Sequence, residues 1–192
     1  MSASPKNRLT AEEFLAWSER REGRYELIDG EVVAQAAERV AHARRKHAVC
    51  KALESAIRSA GAPCEAISDG VAVRVDSSTV YAPDAQLHCG EKLPPDALLV
   101  EPTVVVEVRS PSTGKNDALG KLGGYFQLAS IEHYLIVDPD APLVIHHQRS
   151  EGDAILTRIH RDGVLRLDPP GLTLDLAEIY GAAIPDEAAR RI

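Results

Sequence analysis

A carboxylate interrupts one of the most apolar stretches of the chain. Val104, Val105, Val106 and Val108 suit a buried β-strand, yet Glu107 stands among them. A second acid, Asp84, follows Pro83 inside another strand-like run, Val80–Cys89. A charge within an apolar strand costs free energy unless it is paired or holds a metal ion. Partners across an antiparallel hairpin have residue numbers of constant sum. Pairing 84 with 107 centres the turn between residues 95 and 96, inside the loop Pro94-Pro95-Asp96. The two acids are therefore expected as cross-strand neighbours at one end of a sheet. Pro83 marks a bulge that would aim Asp84. If they share a face, two carboxylates meet one hard divalent cation; the alternative is an acid pair neutralised by Arg or Lys. Arg109 lies two residues after Glu107 and so on its face, either as that partner or as a phosphate contact.

The flanking elements give a mixed α/β chain. A helix is expected over Thr10–Arg20, with Thr10 as N-cap, Glu13 three residues on, and Phe14 and Trp17 on one face. Asp29-Gly30 between Arg24–Ile28 and Glu31–Ala34 signals a tight hairpin, because that turn needs positive φ at both positions. A long helix over Ala41–Ala60 carries Val49, Ala52, Leu53, Ala56, Ile57 and Ala60 on one face, and Gly61-Ala62-Pro63 ends it. Strands at 71–75, 80–89 and 102–109 then form an antiparallel meander. A helix over Asn116–Ala129, with Ala118, Leu122, Tyr125, Phe126 and Ala129 inward, returns the chain to a strand at His133–Asp138. Three β-type stretches reach Leu174, and Leu176–Tyr180 forms a short helix. One domain is expected over 1–192, with its core at about 10–180. Asp117, Lys121 and Tyr125 recur every four residues and share a stripe of their helix, where Asp117 and Lys121 would form an ordinary i,i+4 pair.

Several segments, in order, resemble one known family. They are Arg24–Val32; His42 opening a helix; Pro83-Asp84; Val105-Val106-Glu107-Val108-Arg109-Ser110-Pro111-Ser112-Thr113; Asp117, Lys121 and Tyr125; and Tyr134–Pro139. Together they resemble the Uma-type restriction endonucleases of the PD-(D/E)XK nuclease superfamily, from about Thr10 to Tyr180. The resemblance implies a restriction-endonuclease-like core, a central mixed β-sheet flanked by helices, with an N-terminal helix and hairpin and a β-rich tail. It implies that Asp84 and Glu107 hold Mg²⁺, with Mn²⁺ as a substitute. The superfamily lysine usually sits two residues after the second acid, where this chain has Arg109. Arginine is always charged and cannot act as a general base. The chain is similar to the subset whose lysine has moved to the next helix, which makes Lys121 the third catalytic candidate. Glu26, Glu31 and His42 also match family positions, without an assigned role; a hairpin-edge acid and a locally packed helix start are the structural alternatives for the latter two.

The implied reaction is metal-dependent hydrolysis of DNA phosphodiester bonds. The alternative is a nuclease-fold protein without catalysis, serving as a DNA-binding or protein-interaction module. Arg39, Arg44, Arg45 and Lys46, with His42 and His47, form the densest basic cluster and are candidates for DNA-backbone contact. Ser112 and Thr113 offer further donors. A net charge of −7 argues against binding DNA by bulk charge, but not against metal-dependent contact. Cys50, Cys64 and Cys89 are odd in number and lack metal-ligand spacing, so free thiols in a reducing cytoplasm are expected. The polar N-terminus lacks the apolar core of a secretory leader, and no run approaches the roughly 20 residues that span a membrane. Cutting both strands would call for a homodimer. His146 and His147 are adjacent in a strand and so point to opposite faces, poor co-ligands for one metal.

Overall fold

The computed structural model describes residues 8–110 and 115–181. The N-terminal part folds as expected. Helix α1 spans Ala11–Ser18 under a capping box: Thr10 Oγ1 accepts the Glu13 N–H at 3.2 Å and Glu13 Oε2 accepts the Thr10 N–H at 2.8 Å. The hairpin β1 (Tyr25–Ile28) and β2 (Glu31–Ala34) closes at Ile28↔Glu31, with Asp29 at φ 50° and Gly30 at φ 78°. Both central residues are left-handed, as the tight turn requires. Helix α2 (Val40–Ala60) ends at Gly61 in the left-handed conformation. Its Val49, Ala52, Leu53 and Ala56 are buried; Ala60, at the end of the expected stripe, is exposed.

The meander is built differently at its start. Strand β3 (Cys64–Ser68), absent from the expected elements, is its first member; the expected strand at 71–75 shrinks to β4 (Val73–Arg74). The expected strand at 80–89 divides at Pro83. Strand β5 (Val80–Tyr81) joins the small sheet β2-β1-β5-β4, whereas β6 (Ala85–Cys89) pairs with β3 in the large one. Pro83 has no N–H for a ladder, so the chain changes sheets there, just before Asp84. Strand β7 (Val104–Val108) pairs antiparallel with β6 through Ala85↔Val106, Gln86↔Val105 and Leu87↔Val104. Each pair has the constant sum expected from 84 opposite 107. The Asp84 N–H continues the ladder, donating to Val106 O at 3.0 Å.

Helix α3 (Lys115–Tyr125) carries the chain to β8 (His133–Val137), parallel to β7. It is shorter than expected, and Ala129 lies beyond it and exposed. Strands β9 (Val144–Arg149) and β10 (Ile155–His160) complete the large sheet, order β10-β9-β8-β7-β6-β3. The last expected β stretch is a separate hairpin, β11 (Val164–Leu167) and β12 (Leu172–Asp175), followed by α4 (Leu176–Tyr180). One core lies between the large sheet and the layer of α2, α4 and this hairpin, with Leu53, Val106, Leu135 and Leu174 among its members. The second gathers Val105, Tyr81, Tyr125, Ile131 and Tyr134 on the opposite side of the sheet. Val105 faces that second core, and by the two-residue alternation so does Glu107.

The free-thiol expectation is corrected for two of the three cysteines. Cys64 and Cys89 are cross-strand partners of β3 and β6, and they form a disulfide; Cys50 is free and buried. The pairing depends on β3, without which no partner for Cys89 could be placed. Among the described residues, no helix is long and apolar enough to cross a membrane.

Candidate active site

Three elements deliver the central group. Glu26 comes from β1, Glu107 from β7 and Lys121 from the middle of α3. Lys121 is 5% exposed, and its Nζ lies 2.8 Å from Glu26 Oε1 and 3.0 Å from Glu107 Oε1. Glu26 Oε1 also accepts the Ala82 N–H at 2.9 Å, and the Tyr125 hydroxyl donates to Glu107 Oε1 at 2.8 Å. The ring of Tyr81 lies 5.4 Å from the ammonium and packs edge-on to Tyr125. Gly124 permits this packing, since a Cβ there would fall 2.7 Å from the Tyr81 hydroxyl. Burial pushes the Glu107 carboxyl up, and Asp84 and Glu26 add to that against the pull of Lys121; it reaches about 7. Burial works against the charged form of Lys121, but the two glutamates outweigh it and hold its ammonium well above the usual lysine range.

Asp84 forms the second group, with 7% of its side chain exposed. Its Oδ2 accepts the Val108 N–H at 2.7 Å and lies 3.3 Å from His42 Nε2; that same nitrogen is 2.9 Å from Val108 O. On the Oδ1 side, Lys46 Nζ is at 3.6 Å and Arg24 at 3.8 Å. Both cations also bind Glu38 and Asp69, Lys46 at 2.6 Å to each. Burial alone would raise the Asp84 carboxyl, but the His42 and Val108 hydrogen bonds hold it below the usual aspartate range. The Asp84 hydrogen bond in turn raises His42, against the effect of burial.

Glu107 and Lys121 thus meet, with Glu26 as a third member, and Asp84 stands at the end of the same β6–β7 ladder in a group of its own. Glu31 lies at the exposed end of the hairpin. Arg109 is not the partner of Glu107: its guanidinium is 57% exposed and pairs with Asp138 at 3.0 Å. It lines, with Ala37, Glu38, Arg39, His42 and Ser110, a cleft of about 300 Å³ beside Asp84.

The basic cluster is corrected. Lys46 is buried among Glu38, Asp69 and Asp84, and so is turned inward rather than toward DNA. Arg45 binds the carbonyls of Pro139 and Ile179 and stacks on Tyr180 at 4.0 Å, tying α2 to the C-terminal helix. Arg44 is exposed. Ser112, Thr113 and the side chain of Asp117 lie outside the described residues. His146 and His147 do face opposite ways: His146 Nε2 meets His133 Nδ1 at 2.9 Å in the interior, and His147 meets Thr157 at 2.8 Å.

Sequence reasoning missed Arg24, Glu38 and Asp69 around Asp84. A signal existed for Lys46: residues 42, 46, 49 and 53 follow helical spacing, so His42 and Lys46 continue the stripe of Val49 and Leu53 toward the helix start.

Comparisons with known proteins agree with this architecture. Residues 11–177 match the Uma2 family model, described as "Putative restriction endonuclease". A Synechocystis protein described as "Uncharacterized protein slr1290" is 26% identical over 185 residues, covering 93% of this chain and 94% of that protein. A crystal structure from Anabaena variabilis, described as "a putative nuclease belonging to DUF820", superposes with a TM-score of 0.72. It is 15% identical and covers 90% of this chain and 97% of that one, a likeness of fold. With the family model spanning nearly the whole described chain, from α1 to α4, this protein belongs to the Uma2 family.

Proposed function

We propose that the protein is a divalent-metal-dependent endonuclease that hydrolyses DNA phosphodiester bonds. Lys121 carries the reading. A buried cation shared by two carboxylates from different strands is poor value as a structural device, because well-packed apolar residues usually serve stability as well or better. It suits a site that must hold charge ready for a substrate.

Asp84 and Glu107 would hold Mg²⁺, with Mn²⁺ as a substitute. The donor set fits: both are hard oxygen ligands where adjacent strands pair, and burial raises Glu107 to about 7 even against the pull of Lys121, which leaves buried negative charge for a cation to meet. Among the described residues, no group of three or more His, Cys, Asp or Glu side chains could hold a metal. A two-carboxylate site matches Mg²⁺, which keeps several waters and completes its shell with substrate phosphate. Bound there, the ion supplies phosphate charge neutralisation and a more acidic water.

The chain's own groups supply the rest. Lys121, held between two carboxylates, acts as a hydrogen-bond donor to the attacking water or the phosphate. Glu26 fixes its ammonium and is in turn fixed by the Ala82 N–H. Tyr125 orients Glu107. Arg109, exposed at the cleft and paired with Asp138, would meet a neighbouring phosphate.

A second reading, a DNA-binding or protein-interaction module without catalysis, draws support from Asp84, which already faces Arg24, His42 and Lys46. Supercoiled plasmid with Mg²⁺ or Mn²⁺ separates the two. Nicking by the wild type that disappears in Asp84→Asn, Glu107→Gln and Lys121→Met supports the enzyme. Undiminished nicking by Glu107→Gln refutes it, and salt-dependent DNA retention without nicking favours the module. A homodimer is proposed for double-strand cutting; sedimentation as a monomer in the presence of DNA and Mg²⁺ would count against it.

A further inference from the structure

Strand β10 ends the large sheet with its outer side open. Among the described residues no strand pairs with that side, and five of its six residues are exposed. At the opposite edge, four of the five residues of β3 are half-buried. An open edge is a template for another strand, and proteins usually blunt it with Pro, Lys, a bulge or a covering element. Strand β10 reads Ile155-Leu156-Thr157-Arg158-Ile159-His160, with neither Pro nor Lys. It pairs with β9 through six consecutive residues without a bulge. Ile155 and Leu156 are exposed, and Ile159 is 63% exposed.

The ladder fixes which backbone groups face outward. The Ser150 N–H donates to Ala154 O at 2.9 Å, which makes Ser150 and Ala154 a hydrogen-bonded pair. Such pairs recur every second residue, so Leu156, Arg158 and His160 turn their N–H and C=O toward β9. The Arg149 N–H donates the other way, to Glu132 O beside β8, which gives the same phase. Ile155, Thr157 and Ile159 therefore present their N–H and C=O at the open edge.

A second copy of the strand meets this pattern. Antiparallel pairing about a two-fold axis perpendicular to the sheet keeps every side chain on its own face, so paired residue numbers have an even sum. With the axis at Thr157, the outward groups bond to one another: Thr157 lies opposite Thr157, and Ile155 opposite Ile159. The same register sets Asp153 of one copy opposite Arg161 of the other at both rims. Both are exposed, and among the described residues neither has an ion-pair partner. Moving the axis to Leu156 sets Asp153 against Ile159. Moving it to Arg158 brings the two Arg158 side chains together.

We propose that β10 is a self-association edge: two copies of this chain pair antiparallel through β10 about an axis at Thr157, which joins their six-stranded sheets into one. Main-chain hydrogen bonds hold the edges, the isoleucine pairs cover apolar surface, and Asp153 with Arg161 selects the register. The axis is perpendicular to the sheet, so the Glu107 sides of both copies face the same way. The pairing needs neither DNA nor metal, and it stands or falls separately from the nuclease reading.

The test is sedimentation velocity of the full chain over a concentration series, without DNA or divalent metal. The wild type is expected to show a monomer–dimer equilibrium, and a monomer throughout overturns the proposal. Asp153→Arg turns both rim pairs into repulsions and should weaken association roughly tenfold. Asp153→Arg/Arg161→Asp should restore it, and failure to restore it overturns the register. Ile159→Lys sets an ammonium opposite Ile155 and should leave a monomer. A dimer that neither Asp153→Arg nor Ile159→Lys weakens uses another surface, which also overturns the proposal. These positions are exposed, and thermal unfolding checks that each variant is folded. Thr157→Cys gives a second readout. At the axis the two Cα atoms would lie about 5.5 Å apart, within the span of a disulfide. Mild oxidation should link two chains of Thr157→Cys but not of Arg158→Cys, and Cys50 is buried and does not compete. No link through Thr157→Cys, or an equal one through Arg158→Cys, overturns the axis.

Discussion

Removing the shared cation tests how the central group is held. In Lys121→Met the side chain keeps its unbranched shape, one atom shorter, and loses its charge, leaving Glu26 and Glu107 facing each other with Asp84 nearby. Glu26 retains the Ala82 N–H and Glu107 retains the Tyr125 hydroxyl, so neither is stripped of hydrogen bonds. The side chains of Glu26 and Glu107 are 4% and 15% exposed, so water screens them poorly. Breaking a buried ion pair from one side costs about 3–5 kcal/mol. Glu107 already stands at about 7 in the wild type, so in the variant it can relieve part of the added repulsion by taking up a proton, which puts the loss toward the lower end of that range. At about 2–4 °C per kcal/mol for a chain of this size, Tm should fall by about 6–20 °C. The sign with pH follows from the raised folded-state value of Glu107. An acid whose folded pKa lies above its unfolded one is destabilising at high pH, and that penalty disappears as pH falls below the unfolded value. Losing Lys121 raises Glu107 further above its wild-type value of about 7, so the deficit of Lys121→Met should grow as pH rises through 7 and shrink below it. Thermal unfolding between pH 4 and 8 measures it, and Glu26→Gln/Lys121→Met should be more stable than Lys121→Met alone at pH 7. A variant as stable as the wild type at pH 7, or a deficit that does not vary with pH, would refute the claim that Lys121 compensates buried charge.

Other outcomes follow from single contacts. His146 is 1% exposed and held down to about 3 by burial first and by His133 and His160 second. Its folded pKa lies below the ordinary 6.5, so its contribution is full above pH 6.5 and lost as pH falls toward 3. At pH 5 the loss is about 2 kcal/mol, and urea midpoints should show wild type losing more than His146→Gln between pH 7 and pH 5. Gly124→Ala should cost about 1–3 kcal/mol in chemical unfolding, because the new Cβ would lie 2.7 Å and 2.8 Å from atoms of the buried Tyr81 ring, which Tyr125 hems in. Thr10→Ala removes the cap of α1 and should cost about 1 kcal/mol in the same assay, with Thr10→Ser close to neutral.

The register of the two acids was legible because it follows from the pattern of apolar residues alone: a glutamate in a valine strand, an aspartate after proline and a Pro-Pro loop midway between them. The Asp-Gly hairpin was legible for the same local reason. Strand β3 was not. Cys64-Glu65-Ala66-Ile67-Ser68 has neither alternation nor a strong β-branched run, and it becomes a strand by completing the edge of β6. The division at Pro83 was half legible. The proline implies a bulge, but no local signal says that β5 should leave for a different sheet. Lys46 is the instructive error. Four bases in eight residues look like a surface, yet helical spacing already placed one of them on the stripe of Val49 and Leu53. The partners that make its burial tolerable, Glu38 and Asp69, come from outside the helix and could not be read from its pattern.

That burial also reinterprets the acidic balance of the chain. Around the site, five carboxylates (Glu26, Glu38, Asp69, Asp84 and Glu107) face three permanent cations, Arg24, Lys46 and Lys121. Of the cations expected to meet DNA, Lys46 is engaged by these acids and Arg45 by backbone carbonyls. Arg109, at the mouth of the cleft, is itself paired with Asp138. Left as it stands, such a site repels a phosphodiester. With every carboxylate ionised the shortfall is two charges, which is what one divalent ion brings; at neutral pH the proton on Glu107, whose value is about 7, offsets part of it. On the proposed reading, the ion would then be needed to let DNA approach as well as to promote hydrolysis. DNA retention by Lys121→Met, a variant that deepens the shortfall, should accordingly require more Mg²⁺ than retention by the wild type.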